Sequence, residues 1–155
     1  MSEVIFNKHR VFRETNDVVF YDISVEGCNA QDLVVHTGPA ISPPDDAIGA
    51  QQFYIHYHQI DNNRVLSGER TFQIINFDWR YPYHIVHLDR GSGALVIPKN
   101  TYHRSVSGEN GSILINQAIR DNQFDASTEF IPVSAAQNTR LYQILINEKP
   151  VIHTL

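Results

Sequence analysis

Short apolar segments rich in β-branched and aromatic residues dominate this chain, and residues that favour turns separate them. We predict at least nine β-strands, at positions 4–9, 18–24, 32–37, 53–58, 70–77, 83–88, 94–98, 103–107 and 112–119. Another segment, 141–146, fits either a strand or a short helix. Many short strands at regular spacing predict an all-β sandwich or barrel, and the mouth of a small barrel can hold a ligand.

Composition and charge exclude several classes of protein. The 155 residues show no second composition regime, so we expect a single domain over residues 1–155. The net charge of −5 is modest and the basic residues are scattered, which disfavours nucleic-acid binding. No apolar run approaches membrane-spanning length, and the N-terminal segment lacks a signal-peptide core. We therefore expect a cytoplasmic protein that acts on a small molecule.

Two histidines separated by one residue, His56 and His58, are the first candidate functional feature. Side chains alternate between the faces of a strand, so both rings would project to the side of Tyr54. Neutral imidazole is the commonest transition-metal ligand in proteins, and His103 could supply a third ring. Such a set leaves coordination positions open for a substrate. Solvated surface positions are the alternative for an isolated pair of this kind.

The region around His103, about 91–107, resembles the second motif of the cupin superfamily, G-x5-P-x-G-x2-H-x3-N. Pro98 and His103 stand at the family's spacing. Asn100 replaces the turn glycine, a change that asparagine tolerates because it enters the left-handed region readily. Ser107 stands where the family has asparagine.

The region 49–68 resembles the first cupin motif, G-x5-H-x-H-x3,4-E-x6-G, through His56, His58 and Gly68. The motif glutamate is absent. Counting back from Gly68 reaches Asp61, whereas counting forward from His58 reaches Asn62 or Asn63, so either Asp61 or Asn63 is a candidate fourth ligand. The resemblance implies an all-β cupin jelly-roll with little helix, and one divalent transition metal (Fe, Ni, Zn or Mn) on His56, His58 and His103.

Among cupins, the chain is similar to small nucleotide-sugar 3,4-ketoisomerases and 3,5-epimerases. This resemblance implies a metal-binding isomerase or epimerase of a sugar-type carbonyl compound, in which His58 and Tyr54 would be catalytic. Phe53 and Tyr54 stand in place of the Arg-Gly that those ketoisomerases carry before the histidines, which argues against nucleotide binding.

Two alternative functions stay open at the level of sequence. One is a non-haem Fe(II) dioxygenase with three histidine ligands, acting on a small organic acid, ketone or thiol. The other is a ligand-binding cupin without catalysis, to which the missing glutamate also points.

Further residues near the two motifs are candidates for substrate binding: Tyr54, Arg64, Arg70, Tyr102 and His87. Either arginine could receive an anionic group, although exposed surface charges are commoner. Cupins commonly form dimers, and unpaired edge strands give a physical reason to expect a homodimer here.

Overall fold

A computed structural model of the protein describes residues 3–154. Within them the chain forms twelve strands: β1 (Ile5–Asn7), β2 (Arg10–Glu14), β3 (Val19–Asp22), β4 (Ala30–His36), β5 (Ile41–Ser42), β6 (Gln52–Phe53), β7 (Gln59–Ile75), β8 (Tyr83–Leu88), β9 (Ala94–Ile97), β10 (Tyr102–Arg120), β11 (Val133–Ser134) and β12 (Val151–His153). Two helices, α1 (Ala126–Glu129) and α2 (Thr139–Asn147), lie near the C-terminus.

Two long strands, β7 and β10, form the framework of the molecule. They pair antiparallel along most of their length, so that the start of each strand lies beside the end of the other. β4 and β9 extend the sheet at one end of this pair, and β8 extends it at the other end. Because β7 and β10 pair over most of their length, side chains that are far apart in sequence meet inside the fold.

An irregularity in the β7–β10 ladder decides which side chains of β7 face the interior. Ser67 pairs with Ile113 and Val65 pairs with Leu114, which leaves Leu66 as an extra residue. The extra residue changes the parity of the strand. Before Leu66, the residues of β7 that line an interior cavity are the odd-numbered Gln59, Asp61 and Asn63. After it, they are the even-numbered Arg70 and Phe72.

Two clusters of buried apolar residues hold the layers together. The first joins β7, β8, β9 and β10 around Leu88, Leu95 and Leu114. The second includes Phe53, and there Leu141 of α2 packs with residues near the ends of β7 and β10. This second cluster lies beside the strand ends that carry the histidine motifs.

The prediction of an all-β fold with little helix is confirmed, but the sheets are not closed into a barrel. Segment 141–146 belongs to helix α2. The predicted strands 103–107 and 112–119 are parts of one strand, because Gly111 takes a φ of 66° and lets β10 continue through the expected turn. Among the described residues, no helix is long and apolar enough to cross a membrane.

Candidate active site

Three buried side chains, those of His56, Asp61 and His103, converge on one point inside the fold. Asp61 Oδ2 lies 3.6 Å from His56 Nε2 and 3.5 Å from His103 Nε2. A ligand atom from each residue lies within 4.8 Å of the other two. We call these three residues the buried cluster.

The backbone places the buried cluster through pairing at the strand ends. Tyr54 and His103 form an isolated antiparallel bridge, with N–O distances of 2.9 Å in both directions. The backbone N–H of Asn100 donates to the carbonyl of His56 at 2.8 Å. Asn100 has a φ of 63°, which explains why asparagine can replace the glycine that the resemblance places there. These contacts bring the two motif regions together.

Backbone carbonyls fix the tautomers of both buried histidines. The Nδ1–H of His56 donates to the carbonyl of Glu129 at 2.9 Å, and that of His103 donates to the carbonyl of Thr101 at 3.1 Å. A carbonyl oxygen can only accept, so Nδ1 carries the proton in each neutral ring. The Nε2 lone pairs of both rings are therefore free, and both point toward Asp61.

Two amide groups fix the carboxylate of Asp61. Its Oδ1 accepts hydrogen bonds from Gln59 Nε2 at 2.6 Å and from Asn116 Nδ2 at 2.9 Å. Oδ2 consequently remains for the two imidazoles or for a ligand between them. This arrangement holds a negative charge in a site where only 3% of the Asp61 surface is exposed.

Burial lowers the pKa of His103 to about 4; the negative charge of Asp61 opposes this lowering in part, and His56 adds a smaller lowering. The ring is consequently neutral at pH 7. A neutral ring with a free Nε2 can accept a proton or bind a metal.

Helix α1 and the residue after it cover the His56 side of the buried cluster. Glu129 is 2% exposed, its Oε2 accepts from the backbone N–H of Tyr57 at 3.0 Å, and the same oxygen lies 3.7 Å from His56 Nδ1. Phe130 packs edge-on against the His56 ring, with centroids 5.3 Å apart. His56 thus lies between two buried carboxylates, those of Asp61 and Glu129. Sequence reasoning missed Glu129, which no motif marks.

A cavity of about 140 Å³ opens beside the buried cluster. The rings of Tyr54 and Phe130 lie on its lining together with the three clustered residues. The remaining lining residues are Asp32, Val34, Ser42, Gln59, Asn63, Arg70, Phe72, Ser105, Leu114 and Asn116. The walls are therefore polar near the carboxylate and apolar on the side of Val34, Phe72 and Leu114.

Comparison with solved structures identifies the fold. The dTDP-4-dehydrorhamnose 3,5-epimerase of Bacillus anthracis superposes with a TM-score of 0.63 at 12% identity, covering 97% of this chain and 89% of that one. The WlaRB TDP-quinovose 3,4-ketoisomerase of Campylobacter jejuni gives a TM-score of 0.60 at 15% identity, covering 84% and 93%. The chain has the jelly-roll fold of the RmlC-like cupins. The cupin resemblance inferred from the two motifs is thereby confirmed at the level of the fold.

A double mutant of the QdtA 3,4-ketoisomerase of Thermoanaerobacterium thermosaccharolyticum superposes with a TM-score of 0.59 at 15% identity, covering 96% of this chain and 99% of that one. No protein-family model matches the sequence, and no curated protein matches it. Similarity at sequence identities this low shows a shared fold and does not show a shared function.

The cavity is lined by only some of the residues that the sequence marks as candidates. His56, His103, Asp61, Tyr54 and Arg70 line it. Asn63 also lines it, because it lies on the same face of β7 as Asp61, but only Asp61 lies beside the imidazoles.

His58 lies outside the buried cluster, and the expected strand over 53–58 is wrong. β6 ends at Phe53, and the chain bends at Tyr57 and His58, so the alternation of a regular strand does not apply. His58 Nδ1 instead lies 3.0 Å from Asp121 Oδ2.

Lys99 Nζ donates to the same Asp121 oxygen, at 2.7 Å. About a third of each of the three side chains in this group, His58, Lys99 and Asp121, is exposed to solvent. We call these three residues the surface cluster. The hydrogen bonds from Lys99 and then His58 hold the pKa of the Asp121 carboxyl well below its usual range.

Three predicted substrate-binding residues lie away from the cavity. Arg64 precedes the extra residue in β7, so it faces the opposite side and contacts His9 and Asn7. The hydroxyl of Tyr102 accepts from Asn138 Nδ2 at 3.2 Å within the second core cluster. His87 Nδ1 lies 2.8 Å from Thr71 Oγ1, on another surface.

Proposed function

We propose that this cupin is an isomerase or epimerase of a sugar-type carbonyl compound, and that the buried cluster carries the chemistry. The observation that carries the proposal is the pair of Nδ1-anchored imidazoles whose free Nε2 atoms face one cavity beside a fixed carboxylate. All three structures compared above are named as sugar 3,5-epimerases or 3,4-ketoisomerases, which supports the same class of reaction for this chain.

His56 is the better candidate for the general base. Its Nε2 accepts the proton from the carbon next to the substrate carbonyl, while the electron pair of the broken C–H bond moves toward the carbonyl to form an enolate. The imidazolium that results lies between Asp61 and Glu129, whose negative charges stabilise it. His103 is less suited, because burial depresses its pKa to about 4.

Tyr54 is the candidate proton donor, since its ring lines the cavity and lies 6.5 Å from the His56 ring, centroid to centroid. Its O–H returns a proton to the enolate carbon from the opposite face, and the proton on His56 leaves to solvent as the tyrosinate regains one. The net result is inversion at that carbon. Return of the proton to the former carbonyl carbon, after proton transfer between the two oxygens, gives the keto isomer instead.

The same three donor atoms fit a divalent transition metal. Nitrogen and carboxylate-oxygen donors suit Fe, Ni, Zn or Mn, and the carbonyl partners at both Nδ1 atoms are the outer contacts that metal-binding histidines usually have. We therefore propose His56, His103 and Asp61 as the ligands of a metal-bound form, in place of His58, whose Nδ1 lies 3.0 Å from Asp121 Oδ2. A bound metal would supply Lewis-acid polarisation of a carbonyl oxygen. With both Nε2 atoms occupied, Tyr54 would be the remaining proton-bearing side chain of the site.

A second candidate function, a non-haem Fe(II) oxygenase, is favoured by one specific observation. Two histidines and one carboxylate form the donor set that is typical of such oxygenases, in place of the three histidines expected from the sequence. Oxygen consumption by the Fe(II)-loaded protein with small organic acids, ketones or thiols would support this candidate.

Proton exchange tests the proposed function directly. The protein is incubated in D2O with a panel of nucleotide-linked 4-keto sugars, free ketoses and keto sugar acids, and deuterium next to the carbonyl is followed by NMR. Samples are prepared with and without chelator, and we expect catalysed exchange with at least one class in the chelator-treated protein, where no metal occupies His56 Nε2. Absence of exchange in both preparations, together with Fe(II)-dependent oxygen consumption, would favour the oxygenase instead.

We also propose a homodimer, on the basis of an exposed apolar surface at the edge strand β4. Leu33 and Val35 of β4 are 67% and 51% exposed, and Ile113, which pairs with Val35, is 36% exposed. Exposed apolar groups on a sheet edge favour association. Light scattering should give twice the mass of the chain, and Leu33→Lys should lower it to that of a monomer.

A further inference from the structure

Three buried polar side chains of the cavity, besides the buried cluster and its amide partners, have unused hydrogen-bonding capacity. They are Asn63, Arg70 and Ser105, which are 5%, 2% and 5% exposed. Desolvated polar groups cost free energy unless they are paired. Groups of this kind therefore indicate what the cavity binds.

Arg70 is the most informative of the three. Its Nε donates to Ser112 Oγ at 2.8 Å, and its Nη2 lies 3.4 Å from the carbonyls of Val34 and Ser112. Nη1 has no hydrogen-bond partner among the described residues, yet it is not sealed inside protein. One edge of the guanidinium is thus held by the fold, and the other has no protein partner.

The charge of Arg70 has no counter-charge in the protein. Within residues 3–154, no carboxylate lies within ion-pair distance of it. Its nearest polar network, which runs through Ser112 and Ser107 to His36, consists of hydroxyls and an imidazole. Burial and the charge of Arg70 itself keep that imidazole neutral, since they lower the pKa of His36 to about 4. Asp32, an acid on the cavity lining, is paired with Arg120.

Strand geometry places Arg70 on the same wall as the buried cluster. Arg70 pairs with Ser107, four residues along β10 from His103, and the ladder between Tyr102 and Ser107 is regular. Residues separated by an even number face the same side, so Arg70 is offset from His103 by about 13 Å along the strand at the backbone. A flexible arginine side chain on that wall leaves room between its charge and the imidazoles for a short substrate.

Asn63 and Ser105 lie on the lining as well. Neither the Asn63 amide nor the Ser105 hydroxyl has a hydrogen-bond partner among the described residues, and neither is sealed inside protein. An amide and a hydroxyl can each donate to and accept from a sugar hydroxyl.

We propose that the cavity is specific for a short, carboxylate-bearing carbonyl compound of the sugar-acid type, with its carboxylate on Arg70 and its hydroxyls on Asn63 and Ser105. The position of the substrate carbonyl, beside His56 and His103, rests on the proposed function. A volume of about 140 Å³ is close to that of a cavity that holds a single benzene, so the reacting compound is small or only partly enclosed. The nucleotide part of a nucleotide-linked sugar would lie outside it.

Binding of two matched pairs of compounds tests this specificity. Hydroxypyruvate differs from dihydroxyacetone, and 5-keto-D-gluconate from L-sorbose, only in having a carboxylate in place of a hydroxymethyl group. Calorimetric titration of the wild-type protein should show that at least one acid binds about tenfold or more tightly than its neutral partner, as expected for a charge-assisted hydrogen bond. Equal affinity within both pairs, or binding by none of the four compounds, would overturn the proposal.

Variants of two buried arginines test whether Arg70 causes the preference for acids. Arg70→Met should abolish the preference for acids, and Arg70→Lys should retain part of it because the charge remains. Arg64→Met is the matched control, since Arg64 is also buried and without an ion pair but faces away from the cavity. A preference that survives in Arg70→Met, or that is lost equally in Arg64→Met, would refute the assignment. The wild-type comparison stands even if Arg70→Met does not fold.

Deuterium exchange next to the carbonyl, measured on the same compounds, separates this proposal from the proposed function. Preferential binding of acids without exchange would support the carboxylate subsite and count against the isomerase. Exchange without preference for acids would support the isomerase and count against the subsite.

Discussion

His56 and His58 are separated by a single residue, yet they belong to regions of opposite character. In the buried cluster, His56 is 5% exposed, its Nδ1 is anchored on a carbonyl, and its Nε2 faces His103 and Asp61. In the surface cluster, about a third of the His58 side chain is exposed, and its Nδ1 contacts Asp121. Both histidines have a carboxylate nearby, but only the buried one shares a cavity with a second imidazole.

The comparison shows that convergence and burial, rather than the presence of a histidine–carboxylate pair, distinguish a reactive site. Water screens the surface cluster, and its carboxylate is already occupied by Lys99 and His58. The carboxylate of Asp61 keeps one oxygen for the cavity. Each prediction below changes one cluster and uses the other as its control.

The largest difference should appear in turnover. We expect His56→Ala to lower the rate of deuterium exchange by about a hundredfold to ten-thousandfold, since it removes the general base. His58→Ala should change the rate by less than about threefold, because an exposed pair contributes little. NMR on the best substrate of the panel measures both rates. Comparable losses in the two variants would mean that the reaction does not take place in the buried cluster.

Substitutions in the two clusters should also differ in their effect on metal affinity, by a smaller factor than in their effect on turnover. Elemental analysis and titration with Zn²⁺ or Ni²⁺ should show about one ion per chain in the wild-type protein. Asp61→Ala should weaken binding at least about tenfold to a hundredfold, the range seen when even an outer partner of a metal site is lost. His58→Ala should leave the affinity unchanged. A loss in His58→Ala as large as that in Asp61→Ala would place the ion elsewhere.

The two clusters should also contribute to stability in different pH ranges. Burial lowers the pKa of His103 to about 4 from an ordinary 6.5, so the unfolded chain binds this proton first as the pH falls. The free energy of unfolding therefore decreases between pH 6.5 and 4, by up to about 1.4 kcal/mol per pH unit for one proton. Asp121 has a lowered pKa, so its contribution is present above about pH 3.8 and is lost as the pH falls below that value.

Urea unfolding of the metal-free protein in chelator, repeated from pH 7 to 3, measures these contributions. His103→Gln should flatten the dependence between pH 6.5 and 4, while His36, whose pKa is also about 4, keeps part of the slope. Asp121→Asn should alter only the dependence below about pH 4. The assignment fails if Asp121→Asn changes the slope between pH 6.5 and 4.

The positions of most strands could be predicted because alternation and turn residues are local signals. The sequence could not show that Gly68 and Gly111 lie inside long strands rather than between short ones. That outcome depends on the partner strand, since a side chain at Gly111 would collide with the carbonyl of His36, 2.0 Å from where its Cβ would lie. The face on which Arg70 lies depends on the extra residue Leu66 in β7, which the sequence does not reveal either.

Part of the candidate site could also be predicted. His56 and His103 follow from motif spacing, and Asp61 was one of two alternatives. The sequence does not show that the chain bends at Tyr57, whose N–H donates to the carboxylate of Glu129, 72 residues further along the chain, so His58 cannot be placed from strand alternation. Glu129 itself and Asn116 carry no local signature, since their roles arise only from contacts made in the folded protein.

The smallest difference should appear when a partner of each carboxylate is removed. Asn116→Ala deletes one of two donors to the buried Asp61, and we expect it to lower the free energy of unfolding by about 1–2 kcal/mol. Lys99→Met deletes the main partner of Asp121, but water can replace it there, so the urea midpoint should not change measurably. The change should appear instead in the pKa of Asp121, which should rise toward its usual value and can be followed by NMR titration. A clear loss of stability in Lys99→Met would show that the surface cluster is as strongly coupled to the fold as the buried one.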